Sequence, residues 1–362
     1  TEDISESDVA EVCYDGPTPD DTPPVANTEE IKFESDDDDG FIVKLDKDGT
    51  VKWATQFGGE GEEYVDGVTV DSEGNTYVTG SFQDEATFGE EANSLTASGS
   101  SDGFIAKLDA TGKVVWAEQF GNSGDDAGHE VVVGEQGNSY VMGVSETSAS
   151  TKINIAKIDE TGEFEWEETF DGAASNKGSG IAVDKDGNTY FTGYFEDTAT
   201  FGNTTLTSTG GSNDGFVTKL DADGDVLWAK KFGGLSDDKG YGIALDESED
   251  IYLTGSFEDQ LIFGENIQLD NSGDEDAFII KLDTMGKVKW AKNLGSESAD
   301  VGYDIAVKGD NVTYVAGSFE GNATIDDKSI SHEGSSDAFV VKLVEELPEI
   351  SLSVTPDTIA EN

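Results

Sequence analysis

Residues 102–121 read DGFIAKLDATGKVVWAEQFG, and residues 180–195 read GIAVDKDGNTYFTGYF. In each, two runs of β-branched and aromatic residues flank a short Asp/Gly turn, the signature of a hairpin. The first text recurs at 39–59, 153–172, 214–234 and 276–296, and the second at 67–82, 130–145, 242–257 and 304–319. Trp53, Trp116, Trp166, Trp228 and Trp290 mark the first text, 63, 50, 62 and 62 residues apart. No segment has helical periodicity.

Each repeat supplies two hairpins, or four strands. A unit that small cannot bury both faces alone, so it must stack on its copies. Four strands per repeat in radial array make a propeller blade. The expected fold is therefore all-β, a β-propeller over residues 39–343. All six prolines, at 17, 19, 23, 24, 348 and 356, lie outside that interval, as they must if it is sheet throughout. Residues 1–38 read as an acidic, proline-containing linker, and 344–362 as a linker with the first strand of a following module. Five hairpins of the second text but six strands of the FIVKL type (at Phe41, Phe104, Ile155, Phe216, Phe278 and Phe339) favour five four-stranded blades. The last blade lacks an outer strand, which Val51–Phe57 is expected to donate, closing the ring. A six-bladed ring needs two more strands from residues 1–38, against their composition.

The two texts together resemble the bacterial secreted β-propeller repeat, abbreviated SBBP. The resemblance covers roughly residues 39–343 and implies an extracellular repeat protein without established catalytic residues. The final segment, ISLSVTPDTIAEN at 350–362, resembles the opening strand of a Calx-β module.

Charge narrows the function classes. There are 78 Asp and Glu against 21 Lys, with no Arg, a formal net charge of −57. That field repels nucleic acid and anionic lipid and attracts cations. No apolar run reaches the ~20 residues that span a bilayer. The chain opens at Thr1 without an apolar leader, as a mature exported chain does. With the resemblance, which implies extracellular repeats, the expectation is a secreted or cell-surface protein. The lone Cys13 is read as a spare thiol outside the core.

Three sets of candidate residues follow. The Asp-x-Asp-Gly turns, such as Asp184/Asp186/Gly187, look like the start of a calcium loop. They lack the remaining ligands of one, so hairpin turns capped by Asp are expected. Acidic links between blades, chiefly Asp125/Asp126 and Asp237/Asp238, are the candidates for calcium. Residues just before each innermost strand should line the channel mouth: Asp66, His129 and Glu130, Ser179, Tyr241, Tyr303 and Asp304. Neighbours in a strand point to opposite faces, so His129 and Glu130 are poorly placed as an acid/base pair. The recurrent Lys44, Lys107, Lys157, Lys219, Lys281 and Lys342 are expected in ion pairs, and the tryptophans in packing between blades. The segments 82–102, 195–214, 257–276 and 319–337, absent from one repeat, read as surface elaborations suited to binding. The expectation is a non-enzymatic binding, adhesion or assembly module, calcium-stabilised, whose partner is an extracellular glycan, a protein or its own copies. The alternatives are a carbohydrate-active enzyme using the central pocket and a ligand-free spacer.

Overall fold

A computed structural model describes residues 38–345 apart from 90–92, 147–149, 175, 265–266, 326–327 and 331–334, together with the short strand Ala10–Glu11. The expected continuation into a following module lies outside these residues, as does most of 1–38. Every regular element described is a β-strand and every strand pairing is antiparallel. Each repeat folds as expected, into two hairpins laid side by side. In the first unit, Glu63–Val70, Thr76–Phe82, Asp102–Leu108 and Val114–Phe120 form one sheet in that order. The second, third and fourth units begin at Asp125, Asn176 and Asp238 and repeat this order.

The turns form because Asp supplies what the backbone lacks. The Asp184 Oδ1 accepts the N–H groups of Asp186 (3.0 Å) and Asn188 (2.9 Å), and Asp46 and Asp221 do the same in their turns. These Asp-x-Asp-Gly motifs are hairpin caps.

Tryptophan ties consecutive units together. Trp53 Nε1 donates to Ala110 O at 3.2 Å, Trp116 to Glu160 O at 3.1 Å and Trp166 to Ala222 O at 3.0 Å. Each indole thus lies on the next unit's turn. Gly112, at φ +83°, admits it, since a Cβ there would sit 2.4 Å from Trp53. The recurrent lysines lie over the recurrent tyrosines, as with Lys219 at 4.6 Å from Tyr190 and Lys281 at 4.7 Å from Tyr252. Ion pairs accompany several of them, including Lys157 with Glu165 at 2.7 Å and Lys281 with Asp246 at 3.3 Å.

Two expectations are corrected. Val51–Gly59 pairs with Gly40–Leu45 and Glu85–Phe88, not with the last sheet. A four-residue turn closes the local hairpin at far smaller entropic cost than a pairing across the whole chain. Gly40–Leu45 is therefore no surplus but half of the hairpin at the centre of a five-stranded N-terminal sheet, to which Ala10–Glu11 adds a strand. The fifth unit has three strands (Asp300–Lys308, Val312–Phe319 and Asp337–Val344), not four, among the described residues.

The variable segments are also not free loops. Glu85–Phe88 with Asn93–Thr96 forms a hairpin arm paired to the outer strand of the preceding sheet, and Thr198–Phe201 with Thr204–Thr207 does the same. Gln260–Phe263 with Ile267–Asp270 makes the third such arm. The alternating text ATF or LIF decides this, because one side must be buried. Phe88 and Phe201 are fully buried, and Phe263 nearly so. Ala323–Ile325 with Lys328–Ile330 forms a hairpin paired to neither neighbouring sheet among the described residues.

The second unit brings no arm, since only Glu146 to Thr151 separates its middle strands. Gly143 there pairs with Asn154, as Gly80 pairs with Phe104, so Asn154 and not Ile155 occupies the phenylalanine position. The site is rebuilt in polar residues: Asn154 donates to Ser145 (2.6 Å) and accepts from Thr169 (3.0 Å). A cleft of about 180 Å³ remains, bounded by Phe120, Asn122, Asn154 and Glu167.

Candidate functional site

Each innermost strand carries a β-bulge at the same place, between Val65 and Gly67, Gly128 and Glu130, Gly178 and Gly180, Gly240 and Gly242, and Gly302 and Asp304. The bulged residues are Asp66, His129, Ser179, Tyr241 and Tyr303. Glycine on at least one side of every bulge lets neighbouring inner strands come close. A Cβ at Gly67 would stand 2.8 Å from His129 O, and one at Gly242 2.9 Å from Asp304 Cα. A bulge re-aims a side chain, and here it does so once per unit at one level. These residues lie inside the inner strands rather than just before them.

The bulge residues meet in pairs. His129 Nδ1 is 3.5 Å from Asp66 Oδ2. The rings of Tyr241 and Tyr303 are 6.0 Å apart, and Ser318 Oγ donates to the Tyr303 hydroxyl at 3.2 Å. Tyr303 is 55 % exposed, so its face is open to a ligand. Glu130 turns the other way and accepts the Ile181 N–H at 2.9 Å. His129 and Glu130 therefore engage opposite neighbouring units and make no acid/base pair. Burial pushes the Glu130 carboxyl up to about 8; the Ile181 N–H opposes this, and the charge of Asp304 adds to it. Asp304 itself accepts the Ile305 N–H at 2.7 Å.

The acidic links behave differently from one another. Asp125 is exposed, whereas Asp126 and Asp238 are fully buried. Asn122 N donates to Asp126 Oδ2 at 2.6 Å, and Ser145 also donates to Asp126. Gly234 N donates to Asp238 Oδ2 at 2.7 Å, while Asp237 takes the Asn213 N–H at 3.1 Å and Lys239 at 3.4 Å. Adjacent acids thus point apart, and no three His, Cys, Asp or Glu converge among the described residues. Sequence reasoning missed the other partner of each buried acid. Ser101 O accepts the Asp126 N–H at 3.0 Å, and Asn213 O accepts that of Asp238 at 2.8 Å. Those contacts set Asp102 and Asp214, both buried, beside Asp126 and Asp238. The signal was on the page: the first Asp of the DGF text recurs in step with the acid of the link.

Residues 52–81 and 227–256 match the model of the SBBP β-propeller repeat, and the chain carries β-propeller repeats of that type. A 105-residue stretch is 30% identical to the regulatory protein FlaEY of Caulobacter vibrioides, covering 28% of this chain and 11% of that protein. The chain thus spans a small part of that relative's length. Among solved structures, the Pan2 WD40 domain of Neurospora crassa aligns at TM-score 0.39 and 10% identity over 76% of this chain and 66% of that one. An ulvan lyase aligns at TM-score 0.39 and 9% identity over 84% and 81%. No helix among the described residues is long and apolar enough to cross a membrane.

Proposed function

We propose that the repeat domain is a non-catalytic binding module working outside the cell, its ligand held where the five inner strands bulge. In this reading the five inner strands belong to five propeller blades, and the N-terminal sheet is an incomplete sixth. The observation that carries it is the regular bulge, which sets Tyr241 and Tyr303 side by side at the level of Asp66, His129 and Asp304. Aromatic faces with carboxylates and an imidazole around them suit a neutral or cationic polyhydroxylated ligand, a glycan above all: rings take its C–H faces and carboxylates take its hydroxyls. A net charge of −57 disfavours anionic glycans and nucleic acid. The test is a glycan array with the full chain, followed by titration of Tyr241→Ala with Tyr303→Ala. The variant should weaken binding by roughly tenfold or more, the worth of one lost stacking partner or two. A glycan bound equally well by the variant, or no glycan bound at all, would sink the reading.

One observation favours a second reading, catalysis at the same place. Glu130, its carboxyl raised by burial with Asp304 adding to the shift, offers one of the two carboxyl groups that glycoside hydrolysis uses. Release of reducing ends from a bound glycan, abolished by Glu130→Gln, would establish it.

A further inference from the structure

The junctions between units repeat one arrangement away from the inner strands. An acid opening the third strand of one unit meets an acid in the first two residues of the first strand of the next: Asp102 with Asp126, Asp214 with Asp238, and Asp276 with Asp300. All six are buried. One oxygen of each is held, and at Asp126 both are. At the last junction Ser272 N (2.7 Å) and Asn293 Nδ2 (2.5 Å) donate to Asp276 Oδ2, and Ser296 N donates to Asp300 Oδ2 at 2.6 Å. The other oxygens, Oδ1 of Asp276 and Asp300 and likewise of Asp214 and Asp238, are buried with no hydrogen-bond partner. At the Asp214–Asp238 junction both carboxylates crowd one point. A Cβ on Gly233 (φ +143°) would lie 2.8 Å from Asp238 Oδ2 and 3.0 Å from Asp214 Oδ1.

Two buried like charges repel and are poorly solvated, so a buried carboxylate pair requires a cation or a shared proton. One junction of the chain carries a cation of its own. At the junction of the second and third units, Lys152 stands where the others have Asp, Asn176 replaces the second acid and Asp171 replaces the glycine. Lys152 Nζ lies 2.9 Å from Asp171 Oδ2, so there the positive charge is covalently supplied. At the Asp214–Asp238 junction Lys231 reaches Asp214 and supplies half of it. The Asp276–Asp300 junction has Asn293 in that place.

We propose that the Asp276–Asp300 junction binds a hard divalent cation of the calcium class, with the Asp214–Asp238 junction a weaker site of the same plan. Calcium accepts carboxylate and carbonyl oxygens and water in flexible numbers, so two carboxylates at a strand junction suffice as its charged ligands. Asp102–Asp126 follows the plan less fully, because Ser145 already donates to Asp126.

The experiment uses the full chain, stripped with chelator, in ~0.15 M NaCl, where exposed charges are already screened. Calcium chloride is followed by calorimetric titration and by melting temperature. Saturable binding and a rise of several degrees are expected at a hundredfold excess over Kd. Asp276→Asn with Asp300→Asn should weaken the tightest site by roughly tenfold or more. A second variant, Asp276→Lys with Asp300→Asn and Gly295→Asp, copies the Lys152 junction. It should melt high without calcium and lose the tight site, which keeps the test decisive if the first variant folds poorly. Calcium that acts no better than sodium at equal ionic strength overturns the proposal, as does an unchanged tight site in the copied-junction variant. Stabilisation by acid alone, with no calcium heat at neutral pH, overturns it in favour of a shared proton.

Discussion

If the variable segments are structural arms, removing the ring that docks one should cost as much as a core deletion. Phe201 is fully buried at the base of its arm, with ring centroids 4.7 Å from Phe216, 5.4 Å from Phe170 and 5.9 Å from Phe191. These partners come from two consecutive units, so Phe201→Ala opens a cavity across their junction. Core Phe→Ala substitutions cost about 3–5 kcal/mol. Each aromatic pair adds about 0.5–1.5 kcal/mol beyond burial, so the upper half of that range, about 4–5 kcal/mol, is expected. The control is Thr205→Ala on the exposed face of the same arm, which should stay within about 0.5 kcal/mol. Urea unfolding followed by tryptophan fluorescence and circular dichroism reads both. At a slope of about 3 kcal/mol/M the midpoint of Phe201→Ala falls by about 1.5 M. A loss under about 1 kcal/mol would show that the arm is not docked and that the segment is the free loop its variability suggested.

Three further outcomes are expected. In calcium-free buffer the melting temperature should fall from pH 5 to pH 8.5: burial first, then Asp214, lifts Asp238 to about 8, and burial first, then Asp276, lifts Asp300 to about 6. Acids raised in the folded state contribute stability that is complete below ~4 and lost as pH climbs through the folded values; a flat profile would contradict the burial of these pairs. Trp116→Phe removes the donation to Glu160 O and should cost about 1 kcal/mol, read by melting; no change would mean the indole does not tie the units. Deleting residues 1–59 takes away Phe57, whose ring lies 5.4 Å from Phe88, and should lower the unfolding free energy by several kcal/mol. Equal melting of the truncated and full chains would show that the N-terminal sheet carries no part of the core.

What could be read in the sequence was whatever repeats locally. The turn from Asp184 to Gly187 needs only neighbours within four residues, and the lysine and tryptophan series keep a constant register. The bulge level was legible too, since Asp66, His129, Ser179, Tyr241 and Tyr303 sit at equal offsets from the repeated text. Partnerships between units were not. Nothing near Phe88 says that it packs on Phe57 of the preceding sheet, and nothing near Asp238 says that its companion is Asp214. Such pairings depend on how units are offset when stacked, which the period does not encode. The donation of Val51–Phe57 to the last blade failed for the same reason: an edge needing a strand and a strand lacking an edge were matched without regard to the turn between Leu45 and Val51. Reading Ile155 for Asn154 hides a place where the aromatic plan changes.

The arms make the molecule a series of lap joints. A stretch of chain that belongs covalently to one unit is woven into the sheet before it, so pulling a unit away along the chain must first peel its arm. Hydrogen bonds in the Phe57–Phe88 and Asp171–Thr200 pairings then resist in shear together with the rings beneath them. The joint between the first and second units has no lap: the Trp116 tie, the Asp126 N–H to Ser101 O bond and the apolar cluster of Ile105 and Phe120 with Val131 hold it, beside a polar cleft. Under tension, as on a protein anchored at one end and gripping at the other, the domain parts there before the lapped joints on either side.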